Sequence, residues 1–266
     1  MNASAENHKP EVTAYLLRDT LKHIVHLKAL SAYSRHIRSH YFSHGSSAGV
    51  LFLYPTGITT YESVKYPDMQ YVVLISSDSP SVTARMLDHI PTNCSFVLKL
   101  MSAEDKAIVE RKFPLKRVTS FLSYTHSGES RFLSSENVTV AGTLNEDLLP
   151  FYRANGYERD EVEGHFKAGS AMSFAVHEDS EPVSACMAYQ NYGQVWEICG
   201  LYTIERARRK GHARSIVETA LNKLLANAYI PRYQVDEKNI ASRRLAESLG
   251  LSRFLSTEHY LCQGAA

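Results

Sequence analysis

Trp196 to Arg214 reads WEICGLYTIERARRKGHAR, and this stretch decides how the chain is to be folded. By composition its first eight residues, Trp196 to Thr203, predict a strand. Gly200 interrupts it, and a glycine inside a strand marks a bulge or a close approach by another backbone. Ile204 to Arg214 is a basic loop carrying Gly211 and the small Ala213. From Ala213 onward, Ile216, Val217, Ala220, Leu221, Leu224, Leu225 and Ala228 recur on one helical face. Gly211 therefore falls at a helix N-terminus.

That order has a physical meaning. The first turn of a helix carries unpaired N–H groups and the positive end of the helix dipole, which together attract an anion. Gly211 and Ala213 have little side chain, so a phosphate can approach the backbone closely. Arg206, Arg208, Arg209, Lys210 and Arg214 surround the same place with positive charge. Strand, basic glycine loop and helix thus make a pyrophosphate cradle. The spacing is neither G-x-x-x-x-G-K-[ST] nor G-x-G-x-x-G, which argues against a P-loop NTPase or a Rossmann dinucleotide site.

Outward from this segment the chain alternates strands and helices. Residues 13 to 43 read as one or two helices, with Leu17, Leu21, Ile24 and Leu27 at helical spacing and Gly45 as a stop. Strands are expected at 49–54, 71–76 and 95–100, and helices at 81–90 and from Ser102 to about Arg111, a rhythm that argues for α/β layers. Between Tyr124 and Val138 the composition turns to Ser, Gly and charge, which reads as a domain boundary separating 1–130 from 138–266. The second half opens with a strand at 138–142. Two short helices follow, at 146–155 and 158–167, and then strands at 172–177 and 183–190 around the turn EDSEP.

Composition bounds the function classes. With 29 Lys and Arg against 28 Asp and Glu the chain is formally +1, so a general nucleic-acid or membrane-surface binder is disfavoured and any basic site is local. Cys94, Cys186, Cys199 and Cys262 are far apart and match no metal-ligand spacing, so no metal is expected. They read as reduced thiols in a reducing compartment. The polar N-terminus lacks the apolar core of a signal peptide, and no apolar run approaches the roughly 20 residues that cross a bilayer. The expectation is a soluble, cytoplasmic protein.

The segment resembles a known family. Arg208-Arg209-Lys210-Gly211-His212-Ala213 is similar to the R/Q-x-x-G-x-G/A signature of the GNAT acyl-CoA transferases. Ile230 to Leu251, IPRYQVDEKNIASRRLAESLGL, resembles that family's next unit: a strand, then Asn239 and Ser242, then a helix ending at Leu249-Gly250-Leu251. The two-part chain, with no R-x-x-G-x-G/A match before Arg208, most resembles the branch that includes glycine N-acyltransferase-like proteins. The implied fold is a C-terminal GNAT-type mixed sheet with flanking helices. A smaller α/β domain precedes it, or a degenerate copy of the same half, shaping the acceptor cleft.

The resemblance also implies a chemistry. Acyl-CoA, as acetyl-CoA or another thioester, would be the co-substrate, and an amine would attack its thioester directly. The strand carrying Leu201, Tyr202 and Thr203 would splay from its neighbour and pair with pantetheine. Amides of the basic segment from Arg208 through Arg209, Lys210, Gly211, His212 and Ala213 to Arg214 would hold the pyrophosphate, and Asn239 and Ser242 would lie beside the thioester. Glu197 is the candidate base, although it also reads as an outward carboxylate or an ion-pair partner. Asn239 reads equally as a helix cap. Many relatives carry a tyrosine proton donor at the position of Ala246. A thiol with pKa near roughly 8.5 leaves tolerably without an acid, and Ser242 or Tyr260 are the remaining donors.

Rival readings stand beside these. The protein is either an N-acyltransferase or a non-catalytic acyl-CoA-binding sensor, and RARRKGHAR alone would also serve a nucleic acid. The acceptor is a small amine or amino-acid-like molecule, or a protein amine. Glu158, Asp160, Glu161 and Glu163 suit a cationic acceptor, or simply make a solvated helix face. His36, His40 and His44, at i, i+4 and i+8, read as a solvated helix face rather than a metal site. Tyr229, Tyr233 and Tyr260 read as packing groups.

Overall fold

The computed structural model describes residues 9–128 and 131–263. Residues 1–8, and the Glu129–Ser130 part of the expected boundary, lie outside the described residues. The chain divides into two compact units, Met1–Phe121 with Leu255–Ala266, and Leu122–Phe254.

The first unit opens with α1 (Lys9–Leu16) and α2 (Ile24–Tyr33), followed by strands β1 (Arg38–His44) and β2 (Ser47–Pro55). The one or two helices expected over 13–43 are two, and the expectation is corrected at its end, since the second helix stops at Tyr33. Asp19 accepts a hydrogen bond from the Lys22 amide at 2.9 Å, a local turn that separates the two helices and leaves Leu17 exposed. Beyond Tyr33, β1 and β2 pair antiparallel from Arg38↔Leu53 to His44↔Ser47, and Gly45, at φ 59°, turns the hairpin instead of stopping a helix. His36 therefore precedes a strand, and His40 and His44 lie on it, so no helical histidine face exists.

After α3 (Thr60–Lys65), strand β3 (Tyr71–Ser77) pairs antiparallel with β2. Helix α4 (Pro80–Met86) then crosses to β4 (Phe96–Leu100), which pairs with β3 in parallel. Helix α5 (Ala103–Val109) starts at Ser102, whose hydroxyl accepts from the Glu104 and Asp105 amides. Strand β5 (Lys116–Thr125) follows, and the late strand β11 (Ser252–Cys262) returns to pair antiparallel with β4. Leu51, Leu53, Val73, Ile75, Leu98 and Tyr260 of these strands form a core with Val82 and Met86 of α4. Tyr260 thus packs in the core of the first unit, as a packing group.

The second unit begins with β6 (Val138–Ala141), α6 (Leu149–Arg153) and α7 (Arg159–Lys167). Strands β7 (Ala171–Glu178), β8 (Glu181–Tyr192) and β9 (Val195–Thr203) continue from β6 as an antiparallel meander. Helix α8 (His212–Ala226) crosses to β10 (Ile230–Asp236), which is parallel to β9, and α9 (Ile240–Ser248) follows. Each unit therefore contains the same connection: an antiparallel pair, a helix, and a parallel strand.

Both faces of the second unit's strands are covered. Ile216, Val217, Ala220, Leu221 and Leu224 of α8 pack with Trp196 and Ile198 on one face. Phe151 and Tyr152 of α6 and Val162 and Phe166 of α7 pack with Cys199 and Tyr202 on the other. Helix α9 closes with Gly250 at φ 71°, which lets the Leu251 amide reach Ala246 O at 3.1 Å and turns Leu251 back into the core.

Candidate functional site

Two local departures from regular structure build the site. The first is in β9. Ala185 faces Tyr202 and Met187 faces Cys199, so Gly200 and Leu201 together oppose Cys186: an extra residue, with Gly200 at φ 63°. The extra residue reverses the alternation. Ile198 and Leu201 pack on the α8 side, Cys199 and Tyr202 on the α6 side, where a regular strand would put Leu201 with Cys199. A Cβ at Gly200 would also stand 3.2 Å from Tyr152 Cδ1.

The second departure is the parting of β9 from β10. They pair from Ile230↔Val195 to Tyr233↔Ile198, and the register ends there although β9 continues to Thr203 and β10 to Asp236. The free length of β9 holds Leu201, Tyr202 and Thr203. Asn155 Nδ2 donates to Leu201 O at 3.4 Å, and Arg208 Nε to Thr203 O at 3.1 Å.

Helix α8 begins just beyond. Arg209 has φ 64° and Gly211 has φ 88°, so the loop turns twice through left-handed backbone before the helix. No side chain caps the first turn, and nothing lies within 4 Å of a Cβ built at Gly211. The basic side chains divide into two sets. Arg214 donates to Ser248 Oγ at 3.1 Å and pairs with Glu218 at 3.0 Å, whereas Arg209 has no side-chain partner among the described residues. Lys210, Arg206 and His212 converge on Glu178, the last residue of β7. Hydrogen bonds from Lys210 and His212 hold its carboxyl below the usual carboxylate range.

Asn239 caps α9, its Oδ1 accepting from the Ser242 amide at 3.1 Å. Ser242 also hydrogen-bonds the Tyr233 phenol, whose pKa burial pushes up to about 12. Ala246 is fully buried in the core with α8, so the position where the resemblance would place a tyrosine donor is packed shut here. Tyr229 stacks on Trp196 with ring centroids 4.6 Å apart.

Glu197 lies on the α6 side of β9 at 5% exposure. Its Oε2 accepts from Asn191 Nδ2 at 2.6 Å and from Arg232, its register partner on β10. Arg232 is itself 3% exposed and donates to Ser123 Oγ from Nε at 3.3 Å and from the far guanidinium nitrogen at 3.0 Å. On α7, Glu163 is engaged by Arg159 at 2.5 Å and Lys167 at 2.6 Å, and Arg159 reaches Glu146 at 2.7 Å.

Glu178, Arg232 and Asn191 were not singled out from the sequence. An arginine between apolar residues in IPRYQVD is the one signal that pointed to a buried partner, since a charge enters a core only when paired.

Residues 140–251 match the model of the Acetyltransferase (GNAT) family. No curated protein matches the chain in sequence. A GNAT-family acetyltransferase from Colwellia psychrerythraea shares its fold at a TM-score of 0.63 and 11% identity, over 98% of each chain. A Drosophila protein does so at 0.59 and 12% identity, over 98% of this chain and 97% of that one. A GCN5-related N-acetyltransferase from Kribbella flavida follows at 0.57 and 15% identity, over 92% and 96%. At such identities the likeness is one of fold. Residues 140–251 are thus similar to the GNAT acetyltransferase family, and the chain around them has a mixed α/β fold like that of its GNAT neighbours.

Proposed function

We propose that the protein transfers an acyl group, acetyl first of all, from acyl-CoA to an amine. The observation that carries this reading is the parting of β9 from β10 after Ile198, directly ahead of the uncapped, basic start of α8. A pantetheine arm needs an unpaired strand edge, and a pyrophosphate needs unpaired amides beside cations. The open backbone at Gly211 fits such a ligand, because a Cβ there would meet nothing. Main-chain groups of Leu201, Tyr202 and Thr203 would orient the arm, the loop from Arg208 to Arg214 would hold the phosphates, and Asn239 and Ser242 would flank the thioester. When bound, acyl-CoA supplies an activated carbonyl to the attacking nitrogen.

Glu197 is the proposed base for the amine. The role assigned to it is removal of the ammonium proton through a water, with the proton passing to the Glu197 carboxylate. The first unit enters the proposal as a degenerate copy. There β3, α4 and β4 repeat the connection of β9, α8 and β10, but Asp78 precedes the helix, tied to the Ala48 amide at 3.1 Å and to Arg18 at 3.2 Å. A carboxylate at that position repels a phosphate, which favours one acyl-CoA site per chain.

The two-unit organisation supports a place in the branch of glycine N-acyltransferase-like proteins, and an amine or amino-acid-like acceptor, small or protein-borne. The four cysteines are free, in keeping with the proposed cytoplasmic setting. Among the described residues no helix is long and apolar enough to cross a membrane. A second reading, acyl-CoA binding without transfer, is favoured by the buried Ala246, which removes the usual proton donor.

The test is a thermal-shift titration with acetyl-CoA, CoA and a longer acyl-CoA, beside a Gly211→Glu variant. A ligand that binds the native state raises its melting temperature by mass action. A shift lost in the variant supports the site. Turnover with an amine panel then separates transferase from sensor. A folded sample that shifts with none of the three ligands overturns both readings and leaves salt-dependent nucleic-acid binding to be measured.

A further inference from the structure

One carboxylate collects three of the basic groups around the cradle. Glu178 accepts from Lys210 Nζ at 3.0 Å to Oε1 and 3.2 Å to Oε2, from Arg206 at 3.3 Å, and from His212 Nε2 at 3.1 Å. The three donors come from three places in one loop: the turn after β9, the residue before Gly211, and the first residue of α8. Glu178 is itself fixed in place. It ends β7, and Asp179 and Ser180, at φ 52° and 68°, form a tight two-residue turn onto Glu181 of β8. A negative side chain at the positive end of a helix is favourable in its own right.

We propose that Glu178 is an intramolecular counter-anion for the phosphate loop: in the free protein it holds Lys210, Arg206 and His212, and it gives up part of that set when the pyrophosphate binds, so that it sets the affinity for acyl-CoA. The inference rests on the acyl-CoA reading of the loop. Glu178 and the ligand's phosphates draw on the same few cations, and each is bound more weakly for the presence of the other. Arg209, with no side-chain partner among the described residues, and the N–H groups of α8 remain to receive the ligand first. The residue tunes binding and takes no part in the chemistry.

The experiment measures acetyl-CoA binding by calorimetry to the full chain and to Glu178→Gln, at 50 mM and 500 mM salt. Glutamine keeps the size and a hydrogen-bonding oxygen but removes the charge. Glu181→Gln, across the same hairpin and outside the ion-pair cluster, controls for net charge alone. The expected result is an affinity about three- to tenfold tighter in Glu178→Gln at low salt, a gain that shrinks at high salt and is small in Glu181→Gln. Acetylpantetheine, which lacks the phosphates, should bind both proteins alike. Weaker acetyl-CoA binding in Glu178→Gln would mean that the carboxylate organises the loop instead of competing for it, and overturns the proposal. Equal affinity overturns it too, as does an equal gain in Glu181→Gln. If the unmodified chain binds no acetyl-CoA, the reading of the loop itself falls, and this outcome is distinct from the others.

Discussion

Arg232 on β10 stands directly opposite Glu197 on β9 and donates to its carboxylate at the last part of the strands' shared register, where both side chains are buried. The pair closes the joined end of a fork whose open end holds the bulge. Removing one partner leaves the other charge buried and unpaired. Arg232→Met should therefore destabilise the protein by about 3–5 kcal/mol in urea unfolding, and the double variant with Glu197→Gln should recover a large part of that loss. The same variants separate a proton acceptor from a positioning residue. As base, Glu197→Gln lowers kcat by about 10²–10⁴ and flattens the acid limb of its pH profile. A purely positioning residue would leave the shape of that limb unchanged.

Gly200 joins strain to function. At φ 63° a side chain costs about 1–2 kcal/mol, and the added Cβ would press on Tyr152 at 3.2 Å. Gly200→Ala should lower stability by about 1–3 kcal/mol and weaken acyl-CoA binding by more than the loss of stability explains, because regularising β9 would return Leu201 and Tyr202 to the wrong faces. Paired thermal melts with and without acetyl-CoA read both effects. An alanine variant with full ligand response would remove the bulge from the binding argument.

The contrast between legible and illegible parts follows from the range of the forces involved. The turn EDSEP, the bulge glycine and the start of α8 were readable because each is set by a few adjacent residues. Asn239 was readable as a cap for the same reason. Strand β5 was not: its buried positions include Thr119, Ser120 and Ser123, so the alternation carries no apolar signal. Those hydroxyls have distant partners, Ser256 at 2.9 Å for Ser120 and Arg232 for Ser123. Strand β1 was hidden in the same way, since its partner β2 decides what its polar, histidine-rich sequence becomes. Glu178 escaped notice because 28 residues separate it from Arg206 in sequence and a hairpin brings them together.

Ala246 permits a test in the opposite direction, by restoring the tyrosine of many relatives. The position is fully buried against α8, where added volume has nowhere to go. Ala246→Tyr should lower stability by at least about 1–3 kcal/mol and should not raise kcat, since the phenol cannot rise from the core to the thioester without displacing the helix. A folded variant with several-fold higher turnover would show instead that α9 yields, and that the missing donor limits the natural enzyme.

Acid sensitivity should arise in the first unit, far from any of this chemistry in sequence. His26 is fully buried beside His23 and Phe52, neither ring nitrogen has a hydrogen-bond partner among the described residues, and burial lowers its pKa to about 3. Burial lowers His23 and His259 as well. Between pH 6.5 and 3 the unfolded chain binds a proton at His26 that the folded chain refuses, so stability falls as pH drops through that window. The slope is at most about 1.4 kcal/mol per pH unit for one such group. Urea unfolding of His26→Leu at pH 7, 6 and 5 should show a shallower loss than the unmodified protein, with the difference growing toward pH 5. Parallel curves would mean that the histidine gains a proton in the folded state after all, through a water or a local opening of α2.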